Sequence, residues 1–231
     1  MRVDKFFSDI GMFTRKEINS VIKNKRVKVN EKLIIKSSTI INEKQDIVML
    51  DDEIVQYQKE IYCIFNKPSG YITATEDKKE KTIYEFLPEY FLRKNIIPIG
   101  RLDKDTTGLL ILTNDGEFCH KLTSPKHEVE KEYTFCLADE IQKSDIEKLE
   151  NGKIVLKDGQ KIKPCKINMI DSRTGNIIIT EGKYHQIKRM FGAVGNKIIQ
   201  LKRIREGKLI LPQSLREGEF MIVNKEDIYE G

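Results

Sequence analysis

One stretch constrains the fold of this chain more than any other. The polar segment Gly100-Arg101-Leu102-Asp103-Lys104-Asp105-Thr106-Thr107-Gly108 runs directly into Leu109-Leu110-Ile111-Leu112, and Asn114-Asp115-Gly116 breaks the pattern. A short apolar run between breakers reads as a buried strand. The turn before it is therefore fixed at the end of a rigid element, where reactive side chains are commonly presented.

The remaining composition sets limits. A length of 231 residues suits one large or two unequal domains, and 39% hydrophobic content is enough for a core. The net charge of +5 fits a polyanionic partner, but it also fits an ordinary soluble protein, so the distribution of charge must decide. Cys63, Cys119, Cys136 and Cys165 lack paired Cys-x-x-Cys spacing, and the histidines are His120, His127 and His185. Reduced core thiols are the expectation, with no metal and no disulfide. Asp4, Lys5 and Asp9 interrupt the apolar residues of the N-terminus, and no later run approaches a membrane span, so the expected location is cytoplasmic.

The first segment reads as a small basic module. Val3, Phe6, Phe7 and Ile10 have the spacing of one buried helix face, with Gly11 as a stop. Thr14 and Glu17 have capping-box spacing, and Ile18, Val21 and Ile22 continue an apolar stripe to Asn24. Arg26-Val27-Lys28-Val29-Asn30 then alternates like a half-buried strand that turns at Asn30-Glu31. Arg15, Lys16, Lys23, Lys25, Arg26, Lys28 and Lys32 crowd this span, in which Glu17 and Glu31 are the acids. Charge alone gives a solvated face. Lys16 and Lys23, however, lie seven apart on one helix, and Lys25, Arg26 and Lys28 continue from its end.

Asp51-Asp52-Glu53 and the polar residues to Lys59 read as a linker, which gives expected domains of 1–58 and 59–231. In the second, Ile61 to Phe65 reads as a strand entering a turn at Asn66-Lys67-Pro68-Ser69-Gly70. Lys131 to Leu137 alternates with Tyr133, Phe135 and Leu137 on one face, and Ser144 with Glu147 has the spacing to cap a helix reaching Leu149. Ile154 to Lys163 pivots on Asp158-Gly159 as a hairpin, and Ile177 to Ile179 precede a turn at Glu181-Gly182. Many strands with few helices give an α+β class with a mixed, largely antiparallel sheet. No internal repeat, dinucleotide fingerprint or P-loop is present in the sequence.

The string from Gly100 to Gly116 resembles the catalytic motif of pseudouridine synthases, and its flanks resemble the RsuA subfamily, which acts on small-subunit ribosomal RNA. A second match, Glu181 to Gly195 (EGKYHQIKRMFGAVG), strengthens the resemblance. The N-terminal order of helix, capped basic helix and strand resembles the S4 RNA-binding module. The first implication is a reaction: uridine is cleaved between N1 and C1′, the base turns, and it rejoins through C5. This is an isomerisation, and no cofactor is expected.

The resemblance also implies roles. Asp103 is the expected catalytic carboxylate, stabilising or trapping positive character at C1′, with attack on C1′, attack on uracil C6 and assistance of elimination to a glycal all open to it. Lys188 is the expected cationic partner of Asp103 and Ile187 a wall of the pocket, although helical spacing alone makes Lys188 an ordinary solvated lysine. Tyr133 matches the tyrosine that stacks on uracil and is placed to help remove the C5 proton, where alternation alone makes it a core aromatic. Arg101 is expected to fill the space of the extruded base. Asp105 and Asp115 are expected to cap turns. Arg15, Lys16, Lys23, Lys25, Arg26 and Lys28 are expected to bind RNA phosphates. Lys183, Arg189, Lys197, Lys202, Arg203, Arg205 and Lys208 form a second basic group suited to rRNA.

The implied partner is 16S rRNA or a small-subunit assembly intermediate, met by a monomer without membrane association. A synthase directed at 23S rRNA is the nearest alternative. A noncatalytic S4-type RNA-binding or ribosome-assembly protein is another, since fold does not ensure function.

Overall fold

The structure is a computed structural model that describes residues 1–124 and 127–228. The chain forms two compact units, one of residues 1–61 with 88–96 and the other of residues 62–87 with 97 onward.

In the first unit, α1 (Val3–Asp9) buries Val3, Phe6 and Phe7, and Ile10 follows on the same face, as the spacing predicts. Gly11, at φ +73°, ends it in the left-handed conformation that glycine permits. The capping box forms ahead of α2 (Glu17–Lys23). The Thr14 amide donates to the Glu17 carboxylate at 2.7 Å, and the Glu17 amide donates to the Thr14 hydroxyl at 3.2 Å.

Four short strands follow: β1 (Val27–Val29), β2 (Lys32–Leu33), β3 (Val48–Leu50) and β4 (Glu53–Ile54). They make one antiparallel sheet in the order β2-β1-β3-β4. The expected turn at Asn30-Glu31 has both residues at positive φ, 48° and 65°, which matches the twist of a tight hairpin. Asp51 and Asp52, at 51° and 68°, make the same kind of turn between β3 and β4. That corrects the reading of 51–53 as linker: two adjacent acidic residues suit a hairpin turn as well as a tether. The short helix α3 (Tyr90–Arg93) also belongs to this unit.

The second unit holds β5 (Tyr62–Lys67), β6 (Ile97–Ile99), β7 (Thr107–Thr113), α4 (Gly116–Thr123), β8 (Lys131–Leu137) and α5 (Lys143–Glu150). It continues with β9 (Lys166–Met169), β10 (Thr174–Ile179), α6 (Gln186–Ala193), β11 (Ile198–Glu206), β12 (Leu209–Ile210), β13 (Phe220–Val223) and α7 (Lys225–Ile228). Its sheet runs β13-β5-β7-β11-β8-β10-β9, with β12 beside β11 and β6 beside β7. Every pairing is antiparallel except β7 with β11, so the sheet is mixed and largely antiparallel, as expected.

The run at 109–112 is the buried strand expected of it, lying in β7 with all four side chains fully enclosed. Leu109 and Ile111 pack with Tyr62, Phe118 and Leu122. Gly108, at φ +99°, lets β7 and β11 meet: a Cβ there would lie 2.2 Å from the Arg203 carbonyl oxygen.

Two local expectations fail. Ser144 and Glu147 do not cap α5, because the helix starts after Gln142 and Ser144 already lies inside its first turn. The hairpin on Asp158-Gly159 turns where expected, but its ladder shrinks to the bridge between Val155 and Lys161. Leu156 and Ile162 are buried there, so packing rather than pairing holds the loop.

Candidate active site

The turn that carries Asp103 is held from beneath by buried polar groups. Its own chain closes it through the Thr106 amide, which donates to the Asp103 carbonyl at 3.1 Å. The buried Thr73 hydroxyl donates to the Leu102 carbonyl at 2.8 Å and accepts from the Leu102 amide at 3.2 Å. Lys67, at the end of β5 and 0% exposed, reaches three carbonyls: Pro68 at 3.1 Å, Lys104 at 3.2 Å and Thr106 at 2.9 Å. Burial pulls the Lys67 pKa down to about 8, although the charges of Asp105 and Asp103 oppose the shift. In the sequence Lys67 reads as part of a polar turn. A lysine is rarely enclosed unless its donors are satisfied, and here backbone acceptors satisfy them.

Across the sheet, α6 brings Lys188 to the turn. Its ammonium lies 2.9 Å from Asp103 Oδ2 and 2.5 Å from Asp105 Oδ1. Burial disfavours the ammonium, but the two carboxylates outweigh it and raise its pKa. The ion pair with Asp103 joins residues 85 positions apart. Asp105, expected to cap a turn, is drawn into the ion pair with Lys188: burial raises its pKa, but Lys188 outweighs that and holds the carboxyl low. Asp115 is the cap it was expected to be, with Oδ1 accepting from the Phe118 amide at 3.0 Å at the start of α4. His185 Nε2 stands 3.5 Å from Asp103 Oδ1.

Asp103, Lys188, Tyr133, Ile187 and Arg101 all line one cleft of about 90 Å³, together with Leu102, Thr106, His185 and Leu201. Tyr133 and Ile187 are buried, whereas Arg101 is exposed at the rim. A larger cavity of about 400 Å³ shares Arg101 and Tyr133 and reaches Lys131, Arg203 and Glu206. Burial raises the Tyr133 phenol pKa, and the adjoining Arg203 guanidinium opposes that rise.

Arg203 corrects the second basic group. It is 2% exposed, its Nε donates to the Leu109 carbonyl at 2.7 Å, and its Nη2 lies 3.1 Å from Glu206. Arg205 is likewise engaged, with Glu132 at 2.8 Å and Glu130 at 2.9 Å, and Arg189 pairs with Asp158 at 2.5 Å. The available signal is alternation along β11, where buried Leu201 and Arg203 point the same way.

In the N-terminal unit, Arg15, Lys16, Lys23, Lys25 and Arg26 are exposed and Lys28 is half-buried. Arg26 meets Asp51 at 2.5 Å and Lys28 meets Asp52 at 2.5 Å, so the β3–β4 turn partly neutralises the face expected to be basic. Among the described residues no group of three or more His, Cys, Asp or Glu is placed to hold a metal ion, and no helix is long and apolar enough to cross a membrane.

Residues 61–193 match the family model described as RNA pseudouridylate synthase, a span that contains the whole Asp103–Lys188 cleft except Leu201. The chain belongs to the RNA pseudouridylate synthase family. It is 38% identical over 233 residues to the uncharacterized RNA pseudouridine synthase YtzG of Bacillus subtilis, with 99% of this chain and 97% of that protein covered. It is 37% identical over 229 residues to the ribosomal small subunit pseudouridine synthase A of Haemophilus influenzae, covering 99% and 98%. A crystal structure of a pseudouridylate synthase aligns with a TM-score of 0.69 at 36% identity, covering 99% of this chain and 98% of that one. The similarity therefore includes both units.

Proposed function

We propose that the protein converts a uridine of 16S small-subunit rRNA to pseudouridine. The observation that carries this reading is the Asp103–Lys188 pair at 2.9 Å in a cleft lined by Tyr133 and Ile187. The Asp103 carboxylate meets positive character at C1′ as the N1–C1′ bond breaks, and Lys188 keeps that carboxylate ionised and oriented. Tyr133 stacks on the freed uracil against Ile187 while the base turns. The C5–C1′ bond then forms, C5 loses its proton and N1 gains one, so the reaction balances without cofactor. Arg101, at the rim, takes the space of the extruded nucleotide.

The choice of the small subunit rests on full-length similarity to relatives such as the Haemophilus influenzae protein named for it. The N-terminal unit acts as an S4-like module, with Arg15, Lys16, Lys23 and Lys25 on phosphates. Arg26 and Lys28 must first exchange Asp51 and Asp52 for RNA. The protein works in the cytoplasm as a monomer, on 16S rRNA or a small-subunit assembly intermediate.

Incubation with 16S and 23S transcripts carrying tritium at uridine C5 tests the reading, because isomerisation releases that hydrogen. Release from 16S by wild type, and none by Asp103→Asn, is the expected result. Release from 23S alone overturns the choice of subunit, and release by Asp103→Asn overturns the role of the carboxylate.

A further inference from the structure

Tyr184 is 77% exposed, yet it is held in place with unusual care for a surface aromatic. Its ring stacks on the His185 imidazole, with centroids 3.9 Å apart and planes inclined by 17°. His185 adopts φ +48° and ψ +34°, a left-handed conformation that few residues other than glycine accept. That conformation turns the imidazole so that Nε2 lies 3.5 Å from Asp103 while one ring face lies on Tyr184. His185 therefore touches the reacting carboxylate with its edge and the tyrosine with its face, and the Tyr184 ring is largely open to solvent.

The backbone around the pair is pinned on both sides. Arg189 donates to the Tyr184 carbonyl at 3.2 Å through Nη1, while its Nη2 holds Asp158 at 2.5 Å. Lys183 donates to the Lys161 carbonyl and pairs with Glu181 at 3.0 Å. These contacts fasten the turn at Asp158-Gly159 beside the aromatic pair, and that turn carries the exposed Lys157 and Lys161. An exposed aromatic ring with exposed lysines on a neighbouring turn suits single-stranded nucleic acid: the ring takes a base and the cations take its phosphates.

Resting on the reading under Proposed function, we propose that Tyr184, backed by His185, is a stacking platform for the base adjacent to the target uridine in the RNA chain. Position commits it to that base. His185 lines the cleft and meets Asp103 at its edge while its face carries Tyr184, so a nucleotide whose uracil enters the cleft leaves its chain neighbour at the rim, within reach of the Tyr184 ring. Unstacking the target from that neighbour is a cost of extrusion, and restacking the neighbour on Tyr184 offsets it. The same stacking favours RNAs whose target lies in a single-stranded loop, where the neighbouring base is free to swing out.

The test is a binding cycle with the RNA fragment that carries the mapped pseudouridine, made with the natural sequence or with an abasic ribose on the 5′ or the 3′ side of the target. Tyr184→Ala is expected to weaken binding by about 5- to 150-fold, the range for loss of one base–aromatic stack. It should raise KM while leaving kcat at saturating RNA close to wild type, since the ring does not touch the reacting atoms. Tyr184→Phe and Tyr184→Trp should bind like wild type, and Tyr184→Leu, similar in size but without a π face, should fall with the alanine variant. An abasic ribose on one side should produce the same loss in wild type and no further loss in Tyr184→Ala. Full affinity in Tyr184→Ala overturns the proposal, as does full affinity in Tyr184→Leu, or losses that add for abasic riboses on both sides. Absence of pseudouridine formation by wild type is the separate result that removes the functional reading itself.

Discussion

Replacing Lys67 by Met tests whether a buried cation holds the reactive turn. The substitution keeps the length and the apolar stem but removes the donors to Pro68, Lys104 and Thr106. Hydrogen bonds from a charged group contribute about 1.5–3 kcal/mol each, while the Lys104 carbonyl keeps a second donor in the Gly70 amide at 2.8 Å. Against that loss stands relief from burying a charge. With the pKa lowered from 10.5 to about 8, that burial costs the folded state about 3 kcal/mol at neutral pH. With two carbonyls left without a donor, the two effects leave a net loss of up to about 3 kcal/mol at pH 7.

The pH dependence is the sharper signature. Between pH 8 and 10.5 the unfolded chain binds more protons at Lys67 than the folded one, so wild-type stability rises with pH through that window. The gap between wild type and Lys67→Met should therefore widen by about 3 kcal/mol from pH 8 to 10.5. Urea unfolding of both proteins across that range measures it, and taking the difference cancels Lys94, whose pKa burial also lowers to about 8. The variant should also turn over about 100-fold more slowly, the usual cost of displacing a reacting group by about 1 Å. A gap that stays constant with pH, together with unchanged turnover, refutes the anchoring of the turn by Lys67.

Three further outcomes are expected. Lys188→Met should slow the single-turnover chemical step by about 100- to 1,000-fold with RNA affinity nearly intact, and Asp105→Asn should slow it less because Asp103 still holds Lys188; rapid-quench kinetics at saturating enzyme reads both. Burial raises the Asp115 pKa, but Lys225, Tyr62 and the Phe118 amide outweigh it and bring the carboxyl down to about 2, so Asp115→Asn should cost about 2 kcal/mol at pH 7 and progressively less as pH falls from 4 through 2, measured by urea unfolding. Charge reversal at Lys16 and Lys23 together should flatten the logarithmic salt dependence of 16S binding by about 0.7–0.9 for each phosphate no longer neutralised, in filter-binding titrations.

What was legible in the sequence follows from how local its cause is. The stripe of α1, the Thr14–Glu17 box, the Asn30-Glu31 turn and the enclosed strand at 109–112 each depend on neighbours within a few positions, and each formed as expected. The proximity of Lys188 to Asp103 depends on β7 and β11 lying side by side, and helical spacing around Lys188 carries no trace of that pairing. Family resemblance supplied it instead. Where resemblance was silent, charge misled: Lys67 and Arg203 are cations that the fold encloses, and a basic residue at the end or in the alternation of a strand reads as solvated until its acceptors are known. The reading of Asp51 and Asp52 as linker failed for a related reason, because the register that sets β1 beside β3 puts them near Arg26 and Lys28.

The most direct test of the Asp103 account is pseudouridine mapping across 16S and 23S rRNA from cells that lack the protein, and from the same cells supplied with wild type or Asp103→Asn at matched protein levels. The expected result is one 16S uridine that is unmodified in the deletion, restored by wild type and not restored by Asp103→Asn. Restoration by Asp103→Asn, or a loss confined to 23S, contradicts it.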